Sequence, residues 1–178
     1  KMIILLSPSK TLDLSRDNIP EEFTTPQLLE HTKELVNEFK KYSVSELSKV
    51  MKVSDKIAQV NYDRFQNFKY PFNLNNSKQA LFSFKGDVYK DIDVSNYSKD
   101  EISFSQQSII ILSGLYGVLK PLDLIQPYRL EMHLKTRYWK KKITTYFIEN
   151  LKNNEVIINL ASKEYSNAAV TFAIDGLQ

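Results

Sequence analysis

Three isoleucines followed by a leucine, at residues 109–112, constrain the fold more than any other feature of the sequence. A short run of β-branched residues between serines is typical of a strand that is buried on both faces. The strand leads directly into the loop SGLYG at residues 113–117, which holds two of the four glycines in the chain. Glycine permits close approach to the backbone, and open α/β sheets usually bind ligands where a strand ends. The loop is therefore either a tight turn or part of a ligand-binding site.

Further apolar stretches predict other strands of the same sheet. They lie near Ile3, Leu81 and Val156, and segments with helical spacing of apolar residues separate them. Strands that alternate with helical patterns indicate an α/β or α+β fold. The sequence therefore predicts a single domain over residues 1–178, with a central mixed sheet flanked by helices.

Serine residues mark the starts of several predicted helices. Ser43 or Ser45 can cap one helix, Ser54 a second and Ser98 a third, because a serine side chain accepts a hydrogen bond from the first turn. Glu101 follows Ser98 at the spacing of a capping box. Another helix is predicted between Pro26 and residue 41, where apolar residues recur every three to four positions.

Composition narrows the class of protein. The chain has no cysteine and two histidines, so a disulfide framework is excluded and a metal site is not expected. Its longest apolar run is too short to span a membrane, and the amino terminus lacks the apolar length of a secretory signal. We therefore expect a cytoplasmic protein with no membrane partner and no cofactor. The net charge of +3 permits nucleic-acid binding without arguing for it.

Polar residues follow the first predicted strand at once. Ser7, Ser9, Lys10 and Thr11 combine one cation with three hydroxyls, which could bind a phosphate group. The alternative is a solvated loop in which the hydroxyls form local turns. Spacing alone favours the second interpretation.

Charged residues also follow two later strands. Lys85 and Asp87 flank a glycine and could act as an acid–base pair or as a phosphate clamp, or could form a surface ion pair. Lys120, Asp123 and Arg129 follow the glycine loop at residues 113–117. We expect these five residues and Lys10 to line one electropositive cleft, because strand ends converge at a sheet edge.

A basic stretch occupies residues 135–142, where five of the eight residues are Lys or Arg. Tyr138 and Trp139 are interleaved with these cations, a mixture that suits phosphate contacts and base stacking. Trp139 also shares one helical face with Ile143 and Phe147, which indicates a core residue with a solvated basic flank. The two interpretations have equal support.

Four segments of the chain resemble, in order, the signature segments of the YaaA family, also known as DUF328 or UPF0246. They are SPSKTLD at residues 7–13, FKGDVY at 84–89, LSGLYGVLKPLDLIQPYRLEM at 112–132 and INLASKEY at 158–165. The resemblance implies an unusual sheet arrangement, DNA binding and a role in resistance to peroxide. It also implies a helix-hairpin-helix-like element centred on Gly114, Gly117 and Lys120.

The predicted function is binding of double-stranded or branched DNA through the phosphate backbone, as part of a peroxide stress response. The alternative is an enzyme that acts on a nucleotide-like or phosphorylated small molecule in the same cleft, with Lys85, Asp87 and Asp123 as catalytic residues. The residues predicted to bind DNA or another anion are Ser7, Lys10, Thr11, Lys85, Gly114, Gly117, Lys120 and Arg129.

Overall fold

The computed structural model describes residues 1–152 and 154–169, which form strands, helices and two short 3₁₀ turns. The strands are β1 (Met2–Leu6), β2 (Thr11–Leu12), β3 (Lys78–Gln79), β4 (Phe84–Lys85), β5 (Ile109–Ser113), β6 (Gly117–Leu119), β7 (Leu124–Ile125) and β8 (Val156–Asn159). The helices are α1 (Leu29–Phe39), α2 (Val44–Met51), α3 (Asp55–Gln66), α4 (Ala80–Ser83), α5 (Lys99–Ser108), α6 (Thr136–Asn150) and α7 (Lys163–Ser166). The 3₁₀ turns are Val94–Asn96 and Met132–Leu134.

A four-stranded mixed sheet lies at the centre, in the order β6-β5-β1-β8. Strand β1 pairs in parallel with both β5 and β8, while β6 runs antiparallel to β5. The parallel pairing aligns apolar residues, since Ile4 lies opposite Ile109 on one side and Ile158 on the other. Two ribbons of two strands each, β2-β4 and β3-β7, flank this sheet. The predicted α/β fold with a mixed sheet is confirmed.

The helix starts follow the predicted caps. Ser43 and Ser98 each form a full capping box, with Glu46 and Glu101 as the reciprocal partners. Ser54 accepts a hydrogen bond from the third residue of α3. Because these side chains satisfy amide groups that a helix leaves without partners, the local sequence is sufficient to place the three helix starts.

The segment at residues 80–84 differs from its prediction. The sequence predicted a strand through Leu81, whereas Ala80–Ser83 forms one helical turn between β3 and β4. The Ser83 hydroxyl donates to the Gln79 carbonyl at 2.8 Å across this turn. A short apolar run that is buried all round does not distinguish a strand from a helix by periodicity, which explains the error.

The glycine loop closes a β-hairpin between β5 and β6. Ser113 pairs with Gly117, so the loop holds three residues and Gly117 takes a positive φ of 71°. A three-residue hairpin loop commonly ends on a residue in this conformation. The helix-hairpin-helix-like element implied by the resemblance is therefore not found here, because strands flank the loop on both sides.

Helix α6 contributes the largest side chain of the core. Trp139 is fully buried, and its ring contacts the position where a Cβ on Gly117 would lie. Its indole Nε1 donates to the Gly114 carbonyl at 2.7 Å. The interpretation of Trp139 as a core residue is confirmed. Among the described residues, no helix combines the length and the apolar character needed to cross a membrane.

Candidate functional site

The loop that follows β1 lies where the parallel strands end. Strands β1, β5 and β8 run in the same direction, so their carboxyl ends share one edge of the sheet. The Ser162 amide, just beyond β8, donates to the Ser7 hydroxyl oxygen at 2.8 Å. This hydrogen bond joins two segments that are far apart in the sequence.

The β2-β4 ribbon brings a second predicted segment to the same loop. Thr11 pairs with Lys85, and Gly86 follows with a φ of 121°. A Cβ on Gly86 would lie 2.9 Å from the Ser9 hydroxyl oxygen, so glycine permits this close approach. The Tyr89 hydroxyl donates to the Ser7 carbonyl and fixes the turn against the loop.

The segment at residues 128–131 completes this edge. The backbone of Leu130 passes so close to Gly114 that a Cβ there would lie 2.1 Å from the Leu130 carbonyl oxygen. Glu131 extends to Lys10, with which it forms an ion pair through Oε1. Arg129 Nη2 lies 3.8 Å from the same oxygen.

We call this cluster the carboxyl-edge site and define it by Ser7, Lys10, Arg129, Glu131 and Ser162. Its residues come from the loops after β1 and β8 and from the segment after β7. A polar cluster at the carboxyl ends of parallel strands occupies the position at which α/β sheets usually bind ligands. The edge is therefore the candidate site of this fold.

Glu131 is ionised in the site. Burial would raise the pKa of its carboxyl, but the hydrogen bond from Lys10 and the charges of Lys10 and Arg129 outweigh burial and lower the pKa below its usual value. The carboxylate therefore offsets one of the two adjacent cations. In consequence, the site is less positive than the count of its lysine and arginine residues predicts.

Two further residues, Glu164 and Tyr165, lie beside Lys10 and Arg129 at this edge. His133 lies beside Glu164, with Nδ1 and the backbone nitrogen of His133 2.9 Å and 3.1 Å from Glu164 Oε1. Burial raises the pKa of the Tyr165 hydroxyl, and the charge of Glu164 adds to this effect. Tyr165 therefore stays protonated at neutral pH, because the ordinary pKa of tyrosine is already about 10.

A cleft of about 330 Å³ is lined by Lys85, Lys78 and Asp13. Asp13 lines it and contacts two cations, Lys85 Nζ at 3.2 Å and Lys78 Nζ at 3.7 Å. Hydrogen bonds from Ser15 and then the two lysines hold the pKa of Asp13 well below its usual value. Burial lowers the pKa of Lys78, which is almost inaccessible to solvent.

The structure brings together most of the predicted anion-binding residues, but not all of them. Ser7, Lys10, Thr11, Lys85 and Arg129 lie at the carboxyl edge or on the ribbon beside it. Asp87 is on the turn after Lys85, where its side chain is fully exposed and 4.0 Å from Lys90.

Lys120 and Asp123 lie away from this edge. Strand β6 runs back along β5, with Leu119 opposite Ile111, so Lys120 is displaced by about 10 Å from the carboxyl end of β5. The prediction of one cleft that contains all six charged residues was wrong for these two. The hairpin reverses the chain direction, and the charges that follow β6 are placed toward the opposite edge of the sheet.

Asp123 has a structural role at that opposite edge. Its oxygens accept hydrogen bonds from the Thr24 hydroxyl at 2.6 Å and from the Lys120 amide at 2.8 Å, and only 4% of the residue is exposed. Burial raises the pKa of this carboxyl despite these hydrogen bonds. Asp123 therefore cannot act with Lys85 and Asp87 on one bound substrate, as the enzyme alternative supposed.

The two loop glycines have no access to a ligand. Both are buried, and the amides of Leu115 and Tyr116 donate to the Ser113 hydroxyl at 3.3 Å and 3.1 Å. Gly114 and Gly117 serve packing instead, against Leu130 and Trp139. Their predicted contact with a phosphate backbone is contradicted, because no amide of the loop faces solvent.

The basic stretch at the start of α6 is divided between two roles. Lys135 pairs with Glu38 at 2.6 Å, and Lys142 lies 4.0 Å from the centre of the Tyr138 ring. Three exposed cations form no ion pair within residues 1–152 and 154–169, namely Arg137, Lys140 and Lys141. A nucleic-acid patch on this face stays a prediction.

Sequence reasoning did not select Glu131, Ser162 or Asp13 as site residues. Ser162 follows a strand directly, as Ser7 does, and this shared position is the signal that could have identified it. Glu131 carries no comparable signal, since its place depends on the contact between Gly114 and Leu130. Among the described residues, no cluster of three or more acidic, His or Cys side chains could hold a metal ion.

These observations define an α/β protein with a polar site at the carboxyl ends of the parallel strands of a mixed sheet. A family model described as peroxide stress protein YaaA matches residues 2–175. A UPF0246 protein of Acaryochloris marina is 42% identical over 185 aligned residues, which cover 98% of this chain and 73% of that protein. A UPF0246 protein of Shewanella woodyi is 40% identical over 186 aligned residues, with the same coverage. The chain therefore belongs to the YaaA (UPF0246) family of peroxide stress proteins.

Proposed function

We propose that this protein serves resistance to peroxide stress by binding DNA through the phosphate backbone. The observation that carries the proposal is the position of three exposed lysines, one in the carboxyl-edge site and two beside it. Lys10 adjoins the Thr11–Lys85 pair of the β2-β4 ribbon, and Lys90 lies on the next turn, where its amide donates to the Gly86 carbonyl. We call Lys10, Lys85 and Lys90 the lysine ridge.

The lysine ridge is accessible to a large polyanion. The side chains of Lys10, Lys85 and Lys90 are 62%, 59% and 64% exposed. Thr11 lies opposite Lys85 in the ribbon, and neighbouring strands lie about 5 Å apart, so the backbone positions of Lys10 and Lys85 are close enough for both lysines to contact the phosphates of one DNA duplex. Such contacts attract DNA without reading its sequence.

An acidic side chain lies beside each lysine of the ridge and limits its affinity for DNA. Lys10 contacts Glu131, Lys85 contacts Asp13, and Asp87 lies 4.0 Å from Lys90. Because all three lysine side chains are exposed, salt screens these ion pairs and DNA phosphates can compete for the lysines. We expect weak binding without sequence preference, of the order of 10⁻⁴ to 10⁻⁶ M at physiological salt.

Fluorescence anisotropy with linear and branched DNA duplexes across a salt series tests the proposal. If three phosphates are contacted, log K should fall with log salt with a slope of about −3. The triple variant K10E/K85E/K90E should bind at least about tenfold more weakly and should lose most of this slope.

A matched control changes three exposed lysines elsewhere, in K41E/K49E/K56E. These lysines follow α1 or lie on α2 and α3, and they form no ion pair within the described part of the chain. The control makes the same change in net charge, and we expect its affinity to stay within about threefold of the wild type. Equal losses in both variants, or binding that does not depend on salt, would remove the lysine ridge as the DNA contact.

A further inference from the structure

Arg129 has a hydrogen-bonding edge that the described residues do not fill. Its Nε is buried and has no hydrogen-bond partner within residues 1–152 and 154–169. Its Nη2 lies 3.8 Å from Glu131 Oε1, which is too far for a hydrogen bond. Nε and Nη2 lie on the same edge of the guanidinium, the edge that grips an oxyanion with two parallel hydrogen bonds.

Arg129 also lines a small cleft beside the lysine ridge. Arg129, Lys10, Glu131, Ser9 and Tyr165 contribute to its walls. The cleft has a volume of about 80 Å³. That volume corresponds to two or three water molecules, so the cleft suits one phosphate or carboxylate group but is too small for a nucleotide base.

Glu131 shows that the two cations of the cleft can share an oxyanion. A single carboxylate oxygen, Oε1, contacts Lys10 and lies between Lys10 and Arg129. The only ion pair that Lys10 forms within the described residues is this one. Because most buried donors in proteins are satisfied, the open edge of Arg129 beside this carboxylate points to a second anionic group.

We propose that this cleft binds a single small oxyanion, the phosphate or carboxylate group of a small molecule. The oxyanion accepts two hydrogen bonds from Nε and Nη2 of Arg129 and takes Lys10 from Glu131. The Ser9 hydroxyl and Tyr165 lie on the walls of the same cleft. This ligand goes beyond DNA binding, because the cleft admits one group and neither Lys85 nor Lys90 lines it.

Thermal unfolding of the whole chain with inorganic phosphate, against chloride at matched ionic strength, measures this binding. At ten times the dissociation constant, phosphate should raise the unfolding temperature by roughly 3 to 5 °C. R129K keeps the charge but not the paired donors, and it should lose most of this shift. E131Q removes the competing carboxylate and should lower the dissociation constant about tenfold.

The matched control is K85Q, which removes a cation of the same ridge that does not line the cleft. Phosphate should raise the unfolding temperature of K85Q as much as that of the wild type, even if K85Q binds DNA more weakly. A parallel titration with acetate distinguishes a phosphate ligand from a carboxylate ligand. A shift with phosphate alone identifies a phosphorylated ligand, and a shift with acetate identifies a carboxylate ligand.

Three results would overturn the proposal. The first is that chloride raises the unfolding temperature as much as phosphate or acetate does. The second is that R129K keeps the full rise in unfolding temperature. The third is that K85Q loses as much of this rise as R129K does. The first result would mean an ionic-strength effect, and the others would mean diffuse attraction. DNA binding by the lysine ridge is measured separately with K10E/K85E/K90E, so either proposal can fail without the other.

Discussion

Two loops that follow parallel strands of the central sheet lie in opposite environments. The loop after β1, at residues 7–10, ends in a lysine whose side chain is mostly exposed. The loop after β5, at residues 114–116, is fully buried. Each begins with a small residue directly after an apolar strand, at the position where α/β sheets usually bind ligands.

The difference lies in what satisfies the backbone of each loop. The Ser113 hydroxyl accepts hydrogen bonds from the Leu115 and Tyr116 amides, so these donors are unavailable to a phosphate. In the first loop, Ser7 and Lys10 instead contact Ser162 and Glu131, residues that lie at the open edge of the sheet. The glycine after β5 therefore serves close packing, whereas the exposed lysine after β1 belongs to the candidate site.

The largest effect should come from the buried loop, in Gly114→Ala. The added Cβ would lie 2.1 Å from the Leu130 carbonyl oxygen and 2.9 Å from the Glu131 carbonyl carbon, and backbone atoms cannot yield as a flexible side chain does. We expect a loss of more than about 3 kcal/mol in the free energy of unfolding, measured with urea.

Gly86→Ala provides the comparison from the exposed side. Its Cβ would meet only the Ser9 hydroxyl, although the positive φ of Gly86 still costs about 1 to 3 kcal/mol with a side chain present. We therefore expect Gly114→Ala to lower the free energy of unfolding more than Gly86→Ala does. A loss below about 1 kcal/mol for Gly114→Ala would contradict the packing role of the buried loop.

A smaller effect is expected from two aspartates with opposite pKa shifts. The pKa of Asp13, near the site, is lowered in the folded state, so its stabilising contribution is present above the unfolded pKa near 4 and is lost as pH falls. The pKa of Asp123 is raised, so its contribution is present below the unfolded value and is lost as pH rises through the folded value.

Urea unfolding of D13N and D123N between pH 7 and pH 3 measures this contrast. On acidification, the stability of the wild type relative to D13N should fall, while its stability relative to D123N should rise. The two trends therefore have opposite signs. Trends of the same sign would show that the environments of the two carboxylates do not differ as described.

The smallest change in stability is expected at the lysines of the open loop and ribbon. Lys10→Ala and Lys85→Ala each remove the exposed cation of an ion pair, and a pair that is open to solvent on one side contributes about 0 to 1 kcal/mol. We expect the free energy of unfolding, measured with urea, to change by less than about 1 kcal/mol for either variant. A loss above about 2 kcal/mol in the free energy of unfolding would mean that these lysines stabilise the fold and are not available to a ligand.

Local patterns predicted much of this fold. The strands near Ile3, Ile109 and Val156 and the capped helix starts at Ser43, Ser54 and Ser98 followed from side-chain type and spacing alone. These features depend on interactions within a few residues of one another. The helical turn at residues 80–83 was missed because burial on every side removes the periodic signal.

The site was predicted only in part because it depends on chain direction. The sequence of residues 113–123 does not reveal that the chain reverses at residues 114–116, and this reversal places Lys120 away from the edge at which β5 ends. Arg129 returns to that edge through the close contact between Gly114 and Leu130. Loop residues close to their own strand, such as Ser7 and Lys10, could therefore be assigned, whereas residues beyond a second turn could not.

The central position of β1 has a consequence for how the protein is made. This strand is synthesised before both of its neighbours, β5 and β8, which follow it by more than one hundred residues. Until then an apolar segment with two free edges stays exposed in the nascent chain. Formation of the central sheet should therefore be slow, and high expression or heat should favour aggregation through β1.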